Sequence, residues 1–385
     1  MQVKSLTGFR AFAAGIVIIG HLIDYKNPNN YWLFKYGWVG VNFFFALSGF
    51  LFTILYLDKF QDKKQSFKEY FLKRIFRIYP LYLFLLFITI LTQQKYSYGD
   101  IISHLTMTHA FFRDYRFSIN APMWTLSVEE FYYLLVPFIL IFIGHSQSIS
   151  YIKTKKGRLF LTALILLILH LAFTKFTFDF IDMDSCLAKF VNGMDIYDLE
   201  LWSTTIFGRF SDFAFGMIAG YFVLKFPDSK LLKNNLISSS FFIFGLVVFY
   251  FASYWLEIHG GVKHANNEYY YQHIVRSYGF AGMLMIFSLY GNSIFRRIFQ
   301  IKFIEYLGKI SFALYLCQFV GIGPIDKLVL FFKNKAIIIT YFYSESLSVI
   351  IAYVAISFIA ALLYHFVELP CQTYLRNRYL KKIPA

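Results

Sequence analysis

The chain has 385 residues, of which 58% are apolar and 22% aromatic, and its mean hydropathy is +0.54. Its apolar residues recur in blocks of about the ~20 residues that a helix needs to cross a ~30 Å hydrocarbon core, which excludes a soluble domain and a soluble nucleic-acid-binding protein. The formal charge of +15, from 37 Lys and Arg against 22 Asp and Glu, is therefore read as a topological signal.

The pattern predicts an all-α polytopic membrane protein with about ten transmembrane helices, at 6–24, 39–57, 75–93, 125–143, 159–174, 203–224, 237–256, 273–290, 303–321 and 346–366. The first block has no A-x-A-like cleavage site and runs into further spans, so it reads as a retained helix rather than a signal peptide. Within it, LTGFRAFAAGIVIIGHL places Arg10 and His21 eleven residues apart. That spacing leaves them only ~20° apart around a helix, with a rise of ~16 Å. A cation at the mouth of a span can hold a phosphate, and an imidazole deeper in can act as a general base. The separation is close to the reach of a pantetheine arm, so a thioester donor held at Arg10 would present its acyl group near His21. The alternative is a snorkelling Arg10 and a His21 bonded to a neighbouring helix.

The second block, GVNFFFALSGFLFT, is followed by the basic turn FLKRIFRIYPLYL. Arg74 and Arg77 are three apart and share a face, where a helix N-terminus already favours anions. Two arginines there fit a bound anion, either ligand phosphates or lipid headgroups. The 94–124 loop is long and polar, and its stretch 101–112 reads as re-entrant or interfacial. In MWTLSVEEFYYLLVP, Glu129 and Glu130 point about 100° apart. Counted from the start of its helix, Glu129 falls at the far-side end, at the depth of His21. There it can orient the imidazole or receive an acceptor hydroxyl, or simply complement the helix dipole.

A second long polar loop spans 175–202. Arg209 and Asp212 are spaced to pair within the sixth helix, above the close-packing face of Gly216 and Gly220. The 257–272 loop clusters Asn266, Asn267, Tyr269, Tyr270 and Tyr271, which suit a sugar or an interfacial belt. The stretch 327–343, cut by Lys333 and Lys335, reads as a surface helix. Glu368 closes the last span, placed to pair with a basic residue. Cys186, Cys317 and Cys371 are scattered, with no metal or disulfide spacing. Ten spans put both termini on one side, and assigning that side to the cytoplasm collects 23 Lys and Arg there against 11 opposite, which fixes the orientation. No long hydrophilic segment remains, so a single integral-membrane domain over 1–385 is expected.

In this order the segments resemble the acyltransferase 3 family of membrane O-acyltransferases. LTGFRAFAAGIVIIGHL is similar to the family's opening segment, GVNFFFALSGFLFT to its second block and KRIFRIYPLY to its arginine motif. MWTLSVEEFYYLLVP is similar to its Trp-Ser-Leu-x-x-Glu segment, and GRFSDFAFGMIAGY, LGKISFALYLCQF and VELPCQTYL to its later ones. The chain departs at Asn42, where an acid is usual, and at Gln318, where a histidine is common. The resemblance implies transfer of an acyl group, most often acetyl, from a cytoplasmic coenzyme A thioester (acetyl-CoA). The acceptor would be a hydroxyl of a surface glycan, lipopolysaccharide O-antigen among them, or of its lipid-linked precursor, in a bacterial inner membrane. It places catalysis on His21 and Glu129 and donor phosphates on Arg10, Arg74 and Arg77, with no metal and no nucleic acid. No Ser or Cys stands in the strained elbow of an acyl-enzyme nucleophile, so direct transfer is expected. A transporter or flippase for a lipid-linked saccharide is the other class that buried Arg209, Asp212 and Glu368 would suit, but no inverted repeat is evident.

Overall fold

A computed structural model describes residues 4–26, 32–62, 64–93, 95–112, 114–149, 154–182, 204–259, 268–319 and 345–380. These form α1 (Lys4–Lys26), a 3₁₀ turn (Trp32–Val39) leading into α2 (Gly40–Gln61), α3 (Phe67–Gln93), α4 (Tyr98–Leu105), α5 (Trp124–Ile149) and α6 (Lys155–Asp182). There follow α7 (Ile206–Lys225), α8 (Asn235–Ile258), α9 (Glu268–Tyr290), α10 (Lys302–Lys309), a helical run 311–319, α11 (Glu345–Leu363) and α12 (Leu369–Tyr379). The protein is an all-α polytopic membrane protein.

Among the described residues, seven helices are long and apolar enough to cross a membrane: Lys4–Ile23, Lys35–Gln61, Phe67–Thr92, Ala121–Ser146, Lys155–Thr174, Asn235–Ile258 and Val349–Tyr379. Each coincides with one of the ten predicted spans. The predicted 203–224 span is α7, whose Arg209 and Asp212 are both buried, and the predicted 273–290 span is the apolar part of α9, Ile274–Tyr290. The predicted continuous helix 303–321 is instead broken at Ile310, where α10 ends and the 311–319 run starts. Just before that break α10 presses on α1, and a Cβ on Gly308 would collide with the Thr7 carbonyl. The predicted 327–343 segment, most of the 175–202 loop and half of the 257–272 loop lie outside the described residues.

The bundle is organised around α2, which packs on α1, α5, α7 and α9. Lipid supplies no hydrophobic drive between helices, so close packing and internal polar bonds hold them together. The α2–α7 contact is tight because a Cβ on Gly216 would strike the Ala46 carbonyl, and one on Gly49 the Phe213 carbonyl. Around it Phe213 stacks on Tyr132 at 3.8 Å and lies 4.8 Å from Phe45, each such pair contributing about 0.5–1.5 kcal/mol.

The same seam buries a polar knot. Asn42 Nδ2 donates to Asp212 Oδ2 at 2.9 Å and to the Val275 carbonyl at 3.2 Å. Arg209 Nη1 donates to Asn42 Oδ1 at 3.2 Å and lies 3.9 Å from Asp212 Oδ2, the pair predicted from their spacing.

The 95–123 connection folds back over the bundle rather than remaining an open polar loop. Ser97 and Asp100 form a capping box at the start of α4, and Tyr82 donates to the His104 carbonyl at 2.7 Å. His104 and His109 stack at 3.9 Å, both fully buried, and Arg116 and Asn120 are buried too, Asn120 donating to the Leu316 carbonyl at 3.0 Å.

Candidate active site

Among the described residues, three cavities meet at Arg10. The outermost, at the Lys- and Arg-rich end of the bundle, is a basin of about 380 Å³ lined by Arg10, Lys73, Arg74, Arg77, Lys309 and Arg376, with Glu368, Gln372 and Tyr364. A middle chamber of about 120 Å³ holds Arg10, Arg74 and Arg77 with Ser48, Tyr56, Glu129 and Tyr133. The innermost, about 70 Å³, is walled by Val41, Phe44, Phe45, Leu126, Phe312 and Tyr315, and Arg10, Ser48, Arg77, Thr125, Glu129 and Ser311 supply its polar atoms.

The arginines differ in how they are held. Arg74 Nη2 donates to Tyr56 Oη at 2.7 Å. Its guanidinium is caged by Phe52, Tyr56, Tyr70 and Tyr133, the nearest ring centre at 4.7 Å. Such a cage lowers the cost of a cation taken out of water. Arg10 and Arg77 face one another across the middle chamber, and Arg10 also faces Glu129. Two like charges in one half-buried chamber repel, and a bound anion would relieve that repulsion. Glu368 sits in a π-helical turn, Tyr364–Glu368, a local irregularity often found at functional sites. It accepts from Gln372 at 3.1 Å, and Gln372 also donates to the Arg77 carbonyl at 3.2 Å.

Glu129 accepts from Ser48 at 2.8 Å and from the Tyr133 hydroxyl. Glu130, one residue on, turns to Tyr79. The structure thus brings Glu129 together with Arg10 and Arg77 in one cavity, on the Arg10 level of the bundle. His21 is not among the residues that line the three cavities. It lies further along α1, its ring 5.2 Å from Phe319 and its Nδ1 2.8 Å from Gln318 Oε1.

The Gln318 contact sets a tautomer. Gln318 Nε2 is committed as a donor to the Tyr315 carbonyl at 2.8 Å, so Oε1 is the acceptor and His21 Nδ1 is the donor. The neutral ring then carries its lone pair on Nε2, the form a general base needs. Gln318 itself is fully buried. Sequence reasoning registered it only as a departure from a family pattern. The signal that it matters was its place one turn beyond Leu314, on a helix end facing α1, which only the fold makes visible.

Among the described residues no group of His, Cys, Asp or Glu is placed to hold a metal ion. Cys317 is buried and Cys371 exposed, both as free thiols. The Asn266 and Asn267 expected at an acceptor site lie outside the described residues, as do the side chains of Tyr269, Tyr270 and Tyr271.

The chain is similar to the O-acetyltransferase OatA of Staphylococcus aureus, at 25% identity over 386 aligned positions that cover 95% of this chain and 56% of that protein. It thus spans little more than half the length of that relative. It is also similar, at 30% identity over 36% of the chain and 24% of the relative, to a Bacillus subtilis protein provisionally named peptidoglycan O-acetyltransferase YrhL. A third relative, ORF330 of Acidianus two-tailed virus, provisionally an acetyltransferase, is 36% identical over 28% of this chain and 32% of its own. No solved structure matches the chain. The family model for an acyltransferase domain matches residues 3–366, and with nearly the whole bundle inside that match the chain belongs to the acyltransferase 3 family, as a membrane-embedded member.

Proposed function

We propose that the protein moves an acetyl group from a cytoplasmic coenzyme A thioester to a hydroxyl of a surface glycan, or its lipid-linked precursor, on the opposite side of a bacterial inner membrane. The observation that carries this reading is Arg10 at the meeting point of a six-cation basin and a small, mostly apolar cavity. Phosphates at the basin and the pantetheine arm entering the cavity direct the thioester along α1, towards His21.

In this reading Arg10 and Arg77 bind the donor pyrophosphate, and caged Arg74 adds fixed positive charge behind them. Glu129 accepts a hydrogen bond from an amide N–H of the pantetheine arm and holds Arg10 opposite. His21, oriented by Gln318, takes the proton of the acceptor hydroxyl on Nε2 as its oxygen attacks the thioester carbonyl. The new C–O bond forms, the C–S bond breaks, and the thiolate leaving group recovers the proton from the imidazolium. The names of the relatives support a hydroxyl acceptor, and one of them supports a cell-wall glycan.

The test is mass spectrometry of surface glycans from cells with the wild-type chain, with His21→Ala and without the gene. Wild type adds the mass of one acetyl group per modified unit, and H21A at equal membrane abundance adds none. Full acetylation by H21A removes His21 from the chemistry, and a different added mass replaces acetyl as the donor group.

A further inference from the structure

The basin has a neighbour. A second cleft of about 440 Å³ opens beside it, lined by Glu69, Lys73, Thr373, Arg376, Asn377 and Leu380. Lys73 and Arg376 line both clefts. They stand on facing elements, α3 and α12. Gln372 fixes α12 against α3 through its bond to the Arg77 carbonyl, and Phe76 meets Tyr379 at 5.8 Å. The ridge between the clefts is therefore part of the folded bundle and not a loose tail.

The charges on that ridge are unequally committed. Lys73 is bonded to Glu69 at 2.5 Å, and Lys309 across the basin to Glu305 at 2.9 Å. Arg376 makes no ion pair or side-chain hydrogen bond among the described residues. Six basin cations against Glu368, Glu69 and Glu305 leave an excess of three. The pair of diphosphate charges falls to Arg10 and Arg77 deeper in. An unpaired guanidinium at the rim remains, and its planar fork suits a phosphomonoester carrying about −1.5 to −2 charges.

Resting on the reading above, we propose that Arg376, assisted by Lys73, binds the ribose 3′-phosphate of the coenzyme A donor, with the nucleoside lying in the second cleft against Thr373, Asn377 and Leu380. The C-terminal helix α12 is then a wall of the donor site and selects coenzyme A over donors that lack this phosphate.

The experiment compares acetyl-CoA with acetyl-3′-dephospho-CoA on the purified full chain, in detergent and in phosphatidylglycerol vesicles, for wild type, Arg376→Ala and Lys73→Gln. Wild type prefers acetyl-CoA in kcat/KM by about tenfold, the effect of one exposed charge-assisted contact with its neighbour. In R376A the preference falls to about twofold, because kcat/KM drops about fivefold more on acetyl-CoA than on the dephospho donor, and K73Q lies between. Retained turnover of the dephospho donor shows that R376A is folded. Equal losses on both donors, or an undiminished preference in R376A, overturn the proposal. So does a loss that follows the phosphatidylglycerol content and ignores the 3′-phosphate, which assigns Arg376 to lipid. A wild type that uses both donors equally removes the 3′-phosphate contact alone, whereas a wild type that uses neither removes coenzyme A and this site together.

Discussion

Replacing Gln318 by Leu tests the His21 assignment more sharply than replacing the histidine. The variant removes one acceptor, at 2.8 Å from His21 Nδ1, and leaves the imidazole in place. In the resting enzyme that bond joins two neutral groups and contributes about 1 kcal/mol, and when the ring takes a proton it becomes charge-assisted, worth about 1.5–3 kcal/mol. The difference, about 0.5–2 kcal/mol, is lost only from the transition state, a factor of about 2 to 30 in rate. Without an acceptor at Nδ1 the ring can also turn and switch tautomer, so the expected fall in kcat is about tenfold or more. The donor KM should hold, because Gln318 lines none of the cavities around Arg10. Gln318→Glu keeps the acceptor oxygen but loses the donor to the Tyr315 carbonyl, so it should recover only part of the rate. The assay is steady-state acetyl transfer by protein reconstituted at matched abundance. A Q318L enzyme within twofold of wild type in kcat, or one that loses only donor affinity, would refute the role of Gln318 as a positioning residue.

Two further outcomes concern stability. Asn42→Asp sets a second carboxylate against Asp212 in a buried seam and should cost several kcal/mol, whereas N42D combined with Asp212→Asn restores one amide and one acid and should recover at least half of the lost melting temperature; purely additive losses in the double variant would disprove the coupling. In the 95–123 cap, burial pushes His109 down to about 3 and holds the stacked His104 below the usual histidine range. An unfolded histidine takes up its proton near 6.5, so the native cap stays neutral while the unfolded chain gains charge. Stability is then fully present above about pH 6.5 and lost as pH falls towards 3, by about 2 kcal/mol at pH 5 from His109. His109→Gln, which can still bond Ser127, should show a smaller drop in melting temperature between pH 7.5 and 5, and an unchanged drop would place the acid sensitivity elsewhere.

What could be read from the chain followed the range of each interaction. Apolar runs report on one helix and its solvent, so the positions of the seven long apolar helices among the described residues were legible, though α3 starts at Phe67 rather than 75 and the last apolar helix runs on to Tyr379 rather than ending at 366. The Arg209–Asp212 pair and the Gly216 contact face were equally legible, because both depend on positions one turn apart. The break at Ile310 was not, since it arises where Gly308 meets the Thr7 carbonyl, 301 positions away in sequence. The Arg74 cage was hidden for the same reason, as its rings come from α2, α3 and α5. The depth of Glu129, counted from the start of its helix, pointed towards His21. The bond from Ser48 instead sets α5 against α2 so that this carboxylate faces Arg10.

The two departures from the family pattern show what local reading leaves out. Taken alone, Asn42 and Gln318 look like lost chemistry, an acid and a histidine missing from expected places. In the fold each is an amide beside an ionisable partner, and each uses both ends of the amide. Asn42 donates twice and accepts once within the Arg209–Asp212 knot. Gln318 donates to the Tyr315 carbonyl and accepts from His21. A carboxylate at 42 would repel Asp212, and an imidazole at 318 would leave the tautomer of His21 to be shared between two rings. An amide has a fixed donor and a fixed acceptor and does not titrate. At both positions it therefore holds a neighbouring ionisable group in one orientation without competing for its proton, a role that is defined by the partner and so cannot be seen in either residue by itself.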